Sequence, residues 1–300
     1  PDTGTNDTVT NPDGSKTETV TDEKTGTTTE TTTYPDGSVI IKVTDKDGGV
    51  TVTETRKDGV KVETTIGKNG DITANVTIPN GMNNVVVDIP VENPTPGMTV
   101  VIVKPDGSEE LVNKCAVTET GLRVWLDESA TLKVVDNAKQ FDDVPAEKWY
   151  ADAVSFVTSR GLFSGMGDST FAPDAQMSRA MLMTVLARLD GQDTAGGEQW
   201  YSKAMAWAVQ TGISDGTNPD GSITREQLAA MLYRFAGSPA VDGGELAFSD
   251  ADQVSAYAAD ALRWASGKGI IAGKGGGLLD PKGNATRAEV AAMLMRYVSL

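Results

Sequence analysis

The sequence predicts a multidomain chain. An all-β N-terminal part, an antiparallel β meander plus a small β-sandwich, precedes an all-α part of three helix-loop-helix repeats packed about a pseudo-threefold axis. Two periodicities carry this reading. Glycines stand at 14, 26, 37, 48, 59, 70 and 81, steps of 11 or 12 residues, mostly in Asp-Gly or Asn-Gly pairs. After residue 140 another pattern occurs three times: an arginine (Arg179, Arg225, Arg287) followed at +3, +6, +7 and +10 by apolar side chains. That spacing is one face of a helix at 3.6 residues per turn.

Residues 1–81 alternate turn dipeptides with Thr- and Val-rich runs such as Thr51-Val52-Thr53-Glu54-Thr55. Asp-Gly and Asn-Gly supply the positive φ that tight hairpins demand, and β-branched side chains favour strands. Up to residue 33 the only aliphatics are Val9 and Val20, so the start of the ladder is expected to fray and its end to firm up. With Tyr34 the only aromatic before Trp125, a stalk fits better than a ligand-binding array. Aspartates such as Asp45 and Asp47 read as turn residues, because no complete set of oxygen ligands for calcium surrounds them.

Residues 82–138 read as a separate small β-sandwich. Runs at 85–91, 99–103, 122–126 and 130–135 are nearly continuously apolar, which predicts strands buried on both faces. Cys115 is the only cysteine, so it forms no intrachain disulfide and is expected inside the core.

The repeats are expected at 139–195, 196–240 and 241–300. Ser178, Thr224 and Thr286 stand where a helix N-cap belongs, with the arginine at the first helical position. Gln227 and Glu289 complete capping boxes, whereas Met181 breaks the first one. A cation at a helix start opposes the macrodipole. Three of them point to an anion held by guanidinium and free helix N–H groups, the alternative being an acidic residue of a neighbouring repeat. On that reading Arg287→Ala weakens binding and leaves the melting temperature unchanged or higher. Trp149, Trp200 and Tyr257 are expected to open the first helix of each repeat, as core or as a wall for a sugar ring. The second repeat is shorter: Trp200 to Arg225 spans 25 residues, against 30 in the others.

Phe141-Asp142-Asp143-Val144, Gly161-Leu162-Phe163-Ser164-Gly165, Phe171-Ala172-Pro173 and the Thr-Arg-Ala-Glu type motif resemble the S-layer homology family. The resemblance covers about residues 141–300. It implies a helical domain on secreted bacterial surface proteins that binds secondary cell wall polysaccharide, often through a pyruvylated sugar, or a peptidoglycan-associated polymer. It also implies a glycan site at Arg179, Arg225, Arg287, Trp149, Trp200, Tyr257, Gly165, Gly216, Gly273, Ser164 and Lys274.

Composition excludes much else. The formal charge is −16, with 13 Lys/Arg against 19 Asp/Glu in residues 141–300, which argues against nucleic acid and anionic membranes. No apolar run approaches the ~20 residues of a membrane span. Histidine is absent, which removes histidine triads and histidine metal sites; no cofactor or metal is implied. Opening at Pro1 within a repeat, the chain is expected to be part of a longer secreted protein. Two alternatives to wall anchoring remain: a surface lattice or stalk whose copies self-associate, and a wall-acting glycosidase with Asp168 and Asp174 as its carboxylates.

Overall fold

The computed structural model describes residues 5–167, 169–241 and 244–300, in two units, residues 1–136 and 137–300. In the first unit, strands β1 (Thr5–Thr10), β2 (Lys16–Asp22), β3 (Thr27–Thr33), β4 (Val39–Thr44), β5 (Val50–Thr55), β6 (Lys61–Ile66) and β7 (Ile72–Thr77) each pair antiparallel with the next. Six further strands follow: β8 (Val85–Pro90), β9 (Met98–Val103), β10 (Glu109–Leu111), β11 (Cys115–Val117), β12 (Gly121–Leu126) and β13 (Ala130–Asp136).

The hairpin turns differ in one detail from the sequence expectation. In Tyr34-Pro35-Asp36-Gly37-Ser38 only Gly37 has a positive φ, of 93°, and its N–H donates to Tyr34 O at 3.1 Å. This is a tight turn followed by a one-residue glycine bulge, so aspartate is not there for its φ. Its carboxylate accepts the N–H two residues on: Ser15 at 2.9 Å for Asp13, Ser38 at 2.9 Å for Asp36, Ser108 at 2.9 Å for Asp106. Asp45 likewise takes the N–H of Asp47 and Gly49, both at 2.8 Å. Hydrogen bonds from Ser15, Ser38 and Ser108 hold the Asp13, Asp36 and Asp106 carboxyls below their usual range. Their contribution is therefore complete above the unfolded pKa of about 3.9 and lost as pH falls through the lower folded values. Thermal melts of the β unit should hold their midpoint down to about pH 4 and fall below it, and Asp36→Asn should flatten part of that slope.

The expected boundary at residue 81 is not a break in the sheet. β13 pairs with β7 on one side and β9 on the other, so one sheet runs β1-β2-β3-β4-β5-β6-β7-β13-β9-β10. A second sheet, β11-β12-β8, supplies the other layer of the sandwich. Val62, Ile72, Val76, Val100 and Leu132 of the long sheet share one core with Val87, Ile89, Cys115, Leu122 and Val124 of the short one. Strands β8 and β12 bury mainly alternate residues, and only β9 buries three in succession, Thr99 to Val101. The apolar runs overstated two-sided burial because the short sheet covers one face only. β1 to β5 hold no buried aliphatic side chain among the described residues, yet they keep regular pairing. Threonine pairs such as Thr17–Thr32, 2.9 Å between hydroxyls, tie neighbouring strands where no core exists.

The second unit is helical: α1 (Ala151–Ser159), α2 (Arg179–Leu189), α3 (Ser202–Gln210), α4 (Arg225–Phe235), α5 (Ala259–Gly267) and α6 (Arg287–Val298). α2 buries the whole face its spacing predicts, Leu182, Val185, Leu186 and Leu189, whereas in α4 and α6 the last residue of that face, Phe235 or Tyr297, is half-buried. At ~1.5–3 kcal/mol per fully buried side chain, these faces supply most of the driving force. The partner of each helix lies in the next repeat. α3 packs on α2, α5 on α4, and α1 closes the ring on α6. At the axis a cycle of backbone hydrogen bonds joins all three repeats. Met177 N–H donates to Ala285 O at 3.0 Å, Ala285 N–H to Ile223 O at 2.9 Å, and Ile223 N–H to Met177 O at 2.8 Å.

Candidate functional site

Each arginine-led helix begins as the sequence predicts. Ser178, Thr224 and Thr286 accept the N–H of Met181, Gln227 and Glu289. The first box is not broken: Met181 Sδ accepts the Ser178 N–H at 3.5 Å, a weak substitute for a carboxylate or amide oxygen.

The N–H groups expected to receive an anion at these helix starts are already taken. Arg179, Arg225 and Arg287 give their N–H to Gly221 O, Gly283 O and Ala175 O, each at 2.9 Å. The following residues, Ala180, Glu226 and Ala288, bond Pro219 O, Pro281 O and Pro173 O at 2.8–3.0 Å. These carbonyls come from the loop of the neighbouring repeat, so the proline-containing loop of one repeat caps the helix of another.

The guanidinium groups make the same crossing. Arg287 Nε and Nη2 donate to Phe171 O at 2.8 Å and Ser164 O at 2.7 Å, and its charge lies 4.4 Å from the Phe171 ring centre. Arg225 does likewise to Leu279 O at 2.9 Å and Ala272 O at 2.7 Å. Arg179 bonds Thr217 O at 2.8 Å and Asp215 at 2.7 Å. Arg225 and Arg287 are buried, and burial pushes the Arg287 pKa down. The expectation that these arginines leave the fold untouched is corrected, because all three clamp neighbouring loops. The cost at the helix start is offset because two carbonyls accept from each of these two buried guanidinium groups.

Among the described residues, two grooves lie beside the clamps of Arg225 and Arg179. One, about 420 Å³, is lined by Arg225 of the second repeat, by Gly273, Lys274, Glu289 and Arg296 of the third, and by Trp149 of the first. Lys274 Nζ lies 3.1 Å and Arg225 Nη1 3.4 Å from Glu289, so the groove has three cations against one carboxylate. The other, about 340 Å³, repeats this arrangement one step round the ring with Arg179, Asp215, Gln227, Arg234 and Tyr257. Each groove needs residues from all three repeats because the helices pair across repeats.

Trp149, Trp200 and Tyr257 are exposed at 64, 54 and 53%, which removes the core alternative for all three. Trp149 and Trp200 lean edge-on against Tyr150 and Tyr201, at 5.4 and 5.2 Å between ring centres. Gly165 and Gly273 have a packing reason: a Cβ would stand 2.9 Å from the Phe141 ring and 3.0 Å from the Phe248 ring respectively. At Gly216 it would stand 2.8 Å from Val209. Ser164 contributes its carbonyl to the Arg287 clamp, and Lys274 reaches the first groove. Asp143 and Asp250 fix the same loops, accepting the N–H of Phe171 and Ala172, and of Leu279 and Asp280, at 2.7–2.8 Å. The Leu279 N–H leads the groups that hold the Asp250 carboxyl below its usual range.

A second arginine, nine residues after the first in every repeat, was not singled out from the sequence. Arg188, Arg234 and Arg296 donate to Leu162 O, Ile213 O and Ile270 O at 3.1–3.2 Å, and the last two line the grooves. Their recurrence at a fixed offset was the signal that could have found them. Asp174 is exposed, and Asp168 lies outside the described residues. Among the described residues no group of acidic or cysteine side chains is placed to hold a metal ion.

The S-layer homology domain family matches residues 140–180, 193–229 and 247–291. An amylopullulanase of Thermoanaerobacterium thermosulfurigenes is 32% identical over 173 residues, 52% of this chain and 9% of that enzyme. Exoglucanase XynX of Acetivibrio thermocellus is 29% identical over 179 residues, 54% of this chain and 16% of its own length. An S-layer protein of Bacillus thuringiensis subsp. finitimus is 25% identical over 185 residues, 53% of this chain and 21% of its own. The shared stretch is therefore a small fraction of each relative, and in the two enzymes it leaves more than four-fifths of the protein unmatched. Residues 140–180, 193–229 and 247–291 are three tandem S-layer homology domains, of the kind that mediates attachment to the cell wall or S-layer.

Proposed function

We propose that the helical unit anchors this chain non-covalently to the cell wall by binding secondary wall polysaccharide, with the β ladder as stalk. The observation that carries this reading is the groove of Arg225, Lys274, Arg296 and Trp149, cationic in a chain of formal charge −16. A carboxylate such as that of a pyruvylated sugar would compete with Glu289 for Lys274 and for the Nη1 edge of Arg225 that faces it, since charge-assisted pairs are the strong hydrogen bonds. The exposed face of Trp149 suits the C–H side of the same sugar ring. Arg179 and Tyr257 offer the corresponding pair in the second groove.

Trp149→Ala and Lys274→Ala are expected to weaken binding to purified wall sacculi by about 1–2 kcal/mol each, with unchanged melting temperature, since neither side chain is buried. Sacculi stripped of polysaccharide should retain no chain. Undiminished retention on stripped sacculi would make peptidoglycan itself the ligand and overturn the proposal.

A further inference from the structure

Four residues of the helical unit depart from the repeat pattern, and all four meet at one point. Glu226 stands where the other repeats have Ala180 and Ala288. Ser255 replaces Glu147 and Glu198, Tyr257 replaces Trp149 and Trp200, and Lys282 replaces Asp174 and Asp220. The Glu226 carboxylate is buried, and it accepts Lys282 Nζ at 2.7 Å, the Ser255 hydroxyl at 2.9 Å and N–H at 3.0 Å, and the Tyr257 hydroxyl at 3.1 Å. A tryptophan at 257 has no hydroxyl to offer, and an alanine at 226 has no acceptor. The four departures therefore meet in one hydrogen-bonded cluster around the Glu226 carboxylate.

From this cluster we infer that Glu226 is a positioning residue for the groove of Arg179: it locks Tyr257 as a fixed wall for one pyranose face, with Lys282 and Ser255 holding the carboxylate. The inference rests on the anchoring reading. The Tyr257 ring lines that groove with Arg179, Asp215 and Gln227. Its hydroxyl proton is already engaged by Glu226, so the phenol has no donor left for a ligand, and the ring face it presents suits the C–H side of a sugar. Burial, then Glu226, pushes the Tyr257 pKa up to about 12, in keeping with a phenol that stays a donor. Burial pushes the Glu226 carboxyl up, but hydrogen bonds from Lys282, Ser255 and Tyr257 outweigh it and leave it ionised at neutral pH. Trp149 and Trp200 carry no hydroxyl for such a lock and lean instead on Tyr150 and Tyr201, so the groove of Tyr257 differs from that of Trp149 in how its wall is held.

The test uses the full chain labelled with 3-fluorotyrosine and the polysaccharide released from the cell wall of the source bacterium. The Tyr257 fluorine line is assigned by its loss in Tyr257→Phe, and its shift on titration reads affinity at this groove alone. Glu226→Ala should move and average that line and weaken the affinity about fivefold to tenfold, whereas Glu226→Gln, which keeps an acceptor, should restore both. By calorimetry, Tyr257→Phe should lose affinity to a similar degree with Glu226 in place. An unchanged line and affinity in Glu226→Ala, or full affinity in Tyr257→Phe, would overturn the inference. If the wild-type line ignores the polysaccharide, the anchoring reading fails at this groove. The comparison of lines between wild type and Glu226→Ala then still decides whether Glu226 fixes the ring.

Discussion

Replacing Arg287 with alanine is expected to destabilise the helical unit by about 3 kcal/mol, a fall in melting temperature on the order of 10 °C. Arg287 is 5% exposed, and its guanidinium is a donor to both Phe171 O and Ser164 O. Its removal takes away two charge-assisted bonds, each worth about 1.5–3 kcal/mol, together with the contact to the Phe171 ring. Relief of the unfavourable helix dipole returns at most about 1 kcal/mol, so the loss wins. Arg287→Lys should fall between, because an ammonium cannot span two carbonyls as a planar fork does. Calorimetric melts of both variants beside wild type are the measurement. An unchanged midpoint with weakened wall binding would return Arg287 to the role of a pure ligand residue.

Removing α6 should have the larger effect still. A chain ending before Arg287 loses the helix on which α1 packs, and the donors of Arg287 and Ala288 to the loop of the first repeat. Because the helices pair between repeats, the damage does not stay in the third. α1 is left with its buried face, Ala153, Val154 and Val157, in water. The expected outcome is loss of the cooperative helical transition by circular dichroism, with the β unit still melting on its own. A truncated chain that kept two-thirds of its helical signal in one sharp transition would mean that the repeats fold independently.

The sequence by itself determined most of what depends on residues a few positions apart, the φ role of the turn aspartates and the Met181 capping box excepted. Turn glycines, N-caps and the apolar face of each arginine-led helix are local: a hairpin turn spans five residues, and a capping box four. Tertiary structure alone decided what the arginines do, since Arg287 meets carbonyls 116 and 123 residues away in another repeat. From sequence only the unfavourable helix dipole was visible, and an anion was inferred where backbone oxygens already sit. The same holds for the boundary at residue 81, erased by pairing of β13 with β7, and for the meeting of Glu226 with Tyr257 and Lys282. A long-range contact shows in the sequence only as a residue that recurs, as the arginines do, or that departs from its repeat, as Glu226 does; its partner becomes visible only when the chain closes on itself.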